Sequence, residues 1–216
     1  MALTHTHTDV LTKFFGHGTK HDYKKGEYIV RPGEVPRGVF FIESGLVKSH
    51  DITKYGEENL LVIRKPGELI GMTTAVTGDR KKIIYTALAP TSLWLLSHKQ
   101  FDELLQTSPE AALCLLNLVT EMYRAHSERI LNLEYRTVRE RLISFLLGMG
   151  KRFGVDTADG LLIDIPLRHQ DIASSISATR ETTGREISLL ERKGLLKNIS
   201  SRITLCDIPA LQDVLA

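Results

Sequence analysis

The hydrophobic pattern changes period twice along the chain. Between about Asp22 and Ser97, short apolar runs recur: VFFIE, LVKSHDI, NLLVIR, IIYTAL and SLWLL. Gly33, Gly45, Gly56, Gly67 and Gly78 punctuate them at intervals of 12, 11, 11 and 11 residues. Short strands at regular spacing with a turn residue between them predict a β sandwich or barrel. RPGE at Arg31 to Glu34 and KPGE at Lys65 to Glu68 read as turns with proline ahead of glycine. A helical lead-in is predicted over Val10 to Phe15.

From Ser108 to about Leu147 there is no glycine and, beyond Pro109, no proline. The reading is a long helix, bent or broken near Arg136 to Val138. Leu115, Val119, Met122, His126, Ile130 and Leu133 recur at three- and four-residue spacing and form one apolar stripe. That stripe fits packing on the chain's own β domain and packing on a second copy equally well. Glu121, Arg124, Glu128 and Arg129 suit the solvent side.

After Gly148-Met149-Gly150 the pattern predicts a short strand, GLLIDI, then two helices and a hairpin. The first helix runs from about Arg168 to Ser175 and buries Ile172, Ala173 and Ile176. Ser177-Ala178 makes the turn, where a left-handed conformation at Ser177 would cost about 1 kcal/mol, and Thr179 caps the second helix. A helix, a short turn and a second helix are the elements of a helix-turn-helix. On a helical wheel Thr183, Ile187 and Leu190 face inward, while Glu181, Gly184 and Arg185 face outward with Arg180 beside them. Arginine donates two hydrogen bonds to guanine and glutamate accepts from cytosine, so this face suits a major groove. Gly184 would let the helix backbone approach the duplex, at about 1 kcal/mol of helix propensity. A solvated face in which Arg180, Glu181, Arg185 and Glu186 form a local ion pair is the alternative. LLKNI-SSR-ITLC reads as a wing with Ser200, Ser201 and Arg202 at its tip. These three, with His169 and Gln170 near the start of the first helix and Thr179 and Thr182 near the start of the second, are candidate DNA contacts.

Composition narrows the function classes. The 216 residues are 42% hydrophobic and 25% charged, which excludes a disordered chain. The net charge of +2 argues against a polybasic nucleic-acid coat. The stretch from Val138 onward carries 11 basic and 10 acidic residues and is not markedly basic as a whole, which still allows a DNA reader whose positive charge is confined to one face. Two cysteines, Cys114 and Cys206, are too few for a disulfide scaffold or a four-cysteine cluster. Neither a signal peptide nor a membrane span is evident, so a cytoplasmic protein without membrane association is expected. Histidines near the start (His5, His7, His17 and His21) have no metal-ligand spacing. Glu68, His50 and His98 are loose titratable residues without a catalytic arrangement, so no enzyme and no metal are expected.

TRETTGR at Thr179 to Arg185 resembles the recognition helix of the cyclic-AMP receptor protein branch of the CRP/FNR superfamily. KKGEYIVRPGEVPRGVFFIESGLVKS resembles that family's β-roll opening, KPGEL the start of its phosphate-binding cassette, and SERILNL its dimerisation helix. The resemblance implies an α+β fold: an N-terminal cyclic-nucleotide-binding-type β-roll (jelly roll) over residues 1–107, a dimerisation helix and hinge over 108–137, and a C-terminal winged helix-turn-helix over 138–216. It implies a homodimeric transcription regulator that partners double-stranded DNA and RNA polymerase, with Arg180, Glu181 and Arg185 reading a palindromic TGTGA-like site. A cyclic-nucleotide-type sensory or interaction module without operator binding is the alternative.

The resemblance also implies an effector pocket at Gly67, Glu68, Leu69, Lys81, Lys82, His126 and Ser127. Lys81-Lys82 stand where the cyclic-AMP branch has Arg-Ser. Met122 and His126 stand at purine-contacting positions, where only Ser127 is retained. A lysine lacks the guanidinium fork, so cyclic AMP or another small-molecule effector remains open as the ligand.

Overall fold

The computed structural model describes residues 4–54, 56–78 and 83–215, and the chain divides into two compact units, Met1–Arg124 and Ala125–Ala216. The first unit opens with α1 (Thr4–Phe15), β1 (Thr19–Tyr23), β2 (Tyr28–Val30) and β3 (Gly38–Ser44). β4 (Val47–Ile52), β5 (Glu58–Arg64), β6 (Leu69–Ile70) and α2 (Met72–Thr77) follow. β7 (Ile84–Ala87), β8 (Thr91–Ser97), α3 (His98–Thr107) and the long α4 (Pro109–Tyr135) complete the run. The strands form two antiparallel four-stranded sheets, ordered β1-β8-β3-β6 and β2-β7-β4-β5.

β3 explains why its sequence is continuously apolar instead of alternating. Val39 and Phe41 join Leu11, Phe15, Phe101, Ala111 and Leu115 in a core beneath α1, α3 and α4. Phe40 and Ile42, on the opposite face, join Val30, Val47, Ile70, Tyr85 and Leu93 between the sheets. A strand covered on both faces has no polar side to show. The two proline-glycine turns form as expected: the Glu34 N–H donates to the Arg31 carbonyl at 3.0 Å and the Glu68 N–H to the Lys65 carbonyl at 3.2 Å. Gly33 and Gly67 take φ of 82° and 87°, the left-handed third position of a type II turn.

Three boundaries and two elements differ from the sequence expectation. α1 begins before Val10 and β1 before Asp22. α2 and α3 were not anticipated. α2 has only six residues, too few for a helical period to show. α3 carries a signal in Ser97 and Gln100, which cap each other's backbone in a capping box. The long helix parts at Arg136-Thr137, within the break expected near Arg136 to Val138, because Thr137 and Glu140 form a second capping box that starts α5 (Val138–Phe153). α5 also runs through the glycines instead of stopping at about Leu147. A Cβ on Gly150 would lie 3.0 Å from Leu161 and 3.1 Å from Leu205, so this glycine serves close helix–sheet packing rather than helix termination.

In the second unit α5 is followed by β9 (Gly154–Thr157), β10 (Gly160–Ile163), α6 (His169–Ser175) and α7 (Arg180–Arg192). β11 (Leu196–Ile199), β12 (Arg202–Leu205) and α8 (Ile208–Asp213) close the chain, and the sheet order is β11-β12-β10-β9. β9 and α8 were not anticipated; β9 is exposed along its length and has no apolar alternation to read. Leu142, Ile143, Leu146, Ile163, Ile172, Ile187, Leu190 and Ile203 are all buried in this unit. No helix among the described residues is long and apolar enough to cross a membrane.

Candidate nucleic-acid interface

α6 and α7 owe their angle to the four residues between them. Ser177 takes φ of 51°, the left-handed conformation that the turn demands, and the Ala178 N–H donates to the Ala173 carbonyl at 3.0 Å. Ile172, Ala173 and Ile176 are buried on one side of the crossing. Thr179 caps α7 by accepting from the Thr182 N–H at 3.1 Å, and its own hydroxyl donates to the Thr182 hydroxyl at 2.9 Å. These two threonines therefore build the helix start as well as bordering it.

The wheel of α7 divides as the sequence predicts, with one exception. Thr183, Ile187 and Leu190 are buried. Arg180, Glu181 and Arg185 are exposed, and none of them has an ion pair or side-chain hydrogen bond among the described residues. No local ion pair joins these three, although the face is solvated as that alternative expects. Glu186 is the exception: it is buried on the inner flank, where its carboxylate accepts from Arg139 Nε at 2.7 Å. Ser188 and Arg192, also exposed, lie within about 40° of the Glu181–Arg185 direction and were missed in the sequence reading. The signal was available, since both fall on the same helical stripe.

Gly184 sits half-buried in the middle of this face. A Cβ added there would meet only the His169 ring, at 3.5 Å, an ordinary van der Waals contact. Internal packing therefore does not require glycine at this position. His169 lies against that helix and hydrogen-bonds Asn198 Nδ2 through Nε2 at 3.1 Å, which holds the start of α6 to the wing strand β11. Gln170 beside it is half-buried.

The wing is a hairpin whose two loop residues are Ser200 and Ser201, with φ of 53° and 63°. Two successive left-handed residues define a type I′ turn, where Asn-Gly is favoured and serine is strained by about 1 kcal/mol each. The Leu167 N–H donates to the Ser201 carbonyl at 2.8 Å and fixes the turn beside α6. Arg202 is not at the tip: it begins β12 and donates from Nη1 to Asp164 at 2.6 Å. Ile199, 70% exposed, is the apolar residue next to the serines.

The expected effector residues lie elsewhere. Gly67 donates its N–H to the Ile42 carbonyl at 2.9 Å, and Glu68 lies 3.8 Å from the Arg64 guanidinium. Leu69 is core, paired with Phe41 and only 5% exposed. Lys81 and Lys82 lie outside the described residues. On α4 His126 is exposed and Ser127 half-buried. Three residues missed in the sequence lie near the Gly67 turn: Arg64 places Nη1 3.7 Å from Met122 Sδ, while Ser49 and Tyr85 pair across β4 and β7. The Ser49 hydroxyl is buried without a partner among the described residues. Burial pushes the Tyr85 phenol upward, opposed by the Arg64 charge and the Gly71 backbone N–H.

Residues 20–108 match the model of the cyclic nucleotide-binding domain, and residues 140–214 that of the Crp-like helix-turn-helix domain. The chain is 31% identical over 184 residues to the global nitrogen regulator of Nostoc sp. strain PCC 7120, covering 84% of this chain and 82% of that one. It is 25% identical over 195 residues to the fumarate and nitrate reduction regulatory protein of Vibrio cholerae, covering 90% and 78%. The solved structure of FixK2 from Bradyrhizobium japonicum shares the fold, with a TM-score of 0.78 at 24% identity over 92% of this chain and 98% of that one. With both domain models matched in this order and the nitrogen regulator aligned over most of both lengths, the chain belongs to the CRP/FNR family of transcription regulators and carries that family's helix-turn-helix DNA-binding domain.

Proposed function

We propose that the protein is a homodimer that reads a palindromic, TGTGA-like operator through α7, under control of a small-molecule effector in the β-roll. The observation that carries the reading is the outer face of α7, where Arg180, Glu181 and Arg185 are exposed and held by no partner among the described residues. Arg180 and Arg185 donate to guanine, Glu181 accepts from cytosine, and Gly184 leaves room for the groove wall. Ser200, Ser201, Gln170 and His169 flank this face as phosphate contacts.

Dimerisation is assigned to α4. Leu116, Tyr123 and Ile130 are 60%, 73% and 61% exposed and recur every seven residues, with Val119 beside them. A heptad of exposed apolar side chains suits a coiled-coil seam with a second copy. Two-fold symmetry then requires half-sites about one helical turn apart. Control would pass through the hinge at Arg136-Thr137. Arg141 supports this role: it donates to the Leu133 carbonyl at 3.3 Å and to the Ser177 carbonyl at 3.4 Å, joining the last turn of α4 to the turn of the helix-turn-helix. The Ser49 hydroxyl, without a partner among the described residues, and the Tyr85, Arg64 and Glu68 group support a polar effector near the Gly67 turn.

Selection from random duplex DNA tests the reading. Enrichment of a palindrome with half-sites one turn apart is expected. Failure to enrich any sequence would return the chain to a sensory module without operator binding. Cyclic AMP titrated into the operator complex then tests whether that nucleotide is the effector.

A further inference from the structure

We propose that the cleft between β1 and β2 is a second small-molecule site, and that it takes a planar aromatic anion such as an aryl or indolyl carboxylate. This cleft shares no residue with the effector loop at Gly67 to Leu69. It occupies about 550 Å³, within the range of small-ligand pockets.

Edge strands of both sheets line the cleft. β1 ends one sheet and β2 the other, and β2 is short and bulged, pairing Tyr28 with Thr86 but Val30 with Tyr85. A bulge at an edge re-aims side chains. The walls are aromatic: Tyr28 is 49% exposed, and the His21 ring lies 6.5 Å from both Tyr23 and the edge-on Phe40. Phe40 is 3% exposed and forms the floor. A flat ring inserted here would gain stacked or edge-on contacts on more than one side.

The rim supplies charge. Arg31 and Arg37 both line the cleft, both are exposed, and neither has an ion pair among the described residues. The loop that carries them is already rigid. Its Arg31–Glu34 turn is closed by a backbone hydrogen bond, the Glu34 carboxylate accepts from the Arg31 N–H at 3.1 Å, and buried Pro36 offers its carbonyl to His98 Nε2 at 3.1 Å. Glu34 is thus occupied with its own turn, leaving two guanidinium groups over an aromatic pit. Arg37 lies close enough to Tyr23 to oppose the upward push that burial gives its phenol. Guanidinium recognises carboxylate in a paired, planar geometry.

The test uses the full chain, labelled with nitrogen-15, titrated with indole-3-acetate and with its uncharged analogue indole-3-acetamide. Saturable shifts are expected at the amides of His21, Tyr23 and Phe40, with the amide analogue weaker by about tenfold, the equivalent of one charge-assisted hydrogen bond. Arg31→Gln and Arg37→Gln should each weaken indole-3-acetate to a similar degree, and both sites are exposed, so folding is not at stake. No saturation up to about 10 mM, equal affinity for acid and amide, or shifts centred on Gly67 to Leu69 would each overturn the proposal. None of these readouts depends on DNA, so the regulator reading stands or falls separately.

Discussion

Arg139, near the start of α5, donates from Nε to Glu186 at 2.7 Å and so ties the hinge-side helix to the buried flank of the reading helix. The Glu186 side chain is 12% exposed and that of Arg139 43%. Arg139→Ala leaves a carboxylate enclosed without its partner. We expect a loss of about 1–2 kcal/mol in urea denaturation, less than a fully buried pair would lose because water reaches the arginine. Replacing both residues, as Arg139→Met with Glu186→Leu, should recover most of it. If the double variant is as unstable as the single one, the pair is not the source.

Gly184 separates stability from binding. Alanine there meets only the His169 ring at ordinary contact distance. Gly184→Ala should therefore raise the stability of the domain by about 0.5–1 kcal/mol through helix propensity. Operator affinity should fall in the same protein. A more stable variant with undiminished affinity would show that the bare backbone serves no contact.

Arg180 and Arg192 stand at opposite ends of α7, about 18 Å apart along its axis and about 120° apart around it. Separated along and around the helix, the two are expected to meet different parts of the duplex, Arg180 a base edge and Arg192 the phosphate backbone. Arg180→Ala should cost about 1–3 kcal/mol and relax preference at one base pair. Arg192→Ala should weaken binding on every sequence alike and flatten the salt dependence by a slope of about 0.9. Affinities measured on matched and scrambled duplexes at several salt concentrations distinguish them.

Acid should weaken the fold through two capped carboxylates. Hydrogen bonds from the Lys20 and Trp94 side chains hold Glu43 below its ordinary pKa, and the Thr137 backbone N–H and hydroxyl do the same for Glu140. A carboxylate with a lowered folded-state pKa binds fewer protons folded than unfolded. Its contribution is complete above the ordinary carboxylate range and is lost as pH falls through the folded value. Trp94, the single tryptophan, reports the Glu43 environment by fluorescence. The urea midpoint should drop from neutral pH toward pH ~4, and Glu140→Gln should flatten part of that slope. An unchanged slope would remove Glu140 from the account.

Exposed apolar residues on α4 predict the behaviour of the assembly. Tyr123→Glu and Ile130→Glu place charge on the proposed seam at positions 73% and 61% exposed in the single chain. Sedimentation should show dissociation with each fold intact, since neither side chain is part of a described core. A dimer unaffected by both would locate the interface elsewhere.

Local chemistry made much of this protein readable in its sequence. Gly33 and Gly67 announce type II turns because a proline precedes each and the third position needs positive φ. Ile187 and Leu190 announce the inner side of α7 because helical geometry spaces them there, and Arg180, Glu181 and Arg185 follow on the outer side by the same arithmetic. Tertiary structure decided what depends on neighbours distant in the chain. Gly150 looks like a helix stop until Leu161 and Leu205 are found packed over it. Glu186 looks solvated until Arg139, 47 positions earlier, closes on its carboxylate. Arg202 looks like a wing tip until Asp164 claims it, and the cleft at Tyr23 and Phe40 is lined by edge strands of both sheets. Periodicity and turn residues are properties of a few consecutive positions, whereas burial and ion pairing belong to partners that only the folded chain brings together.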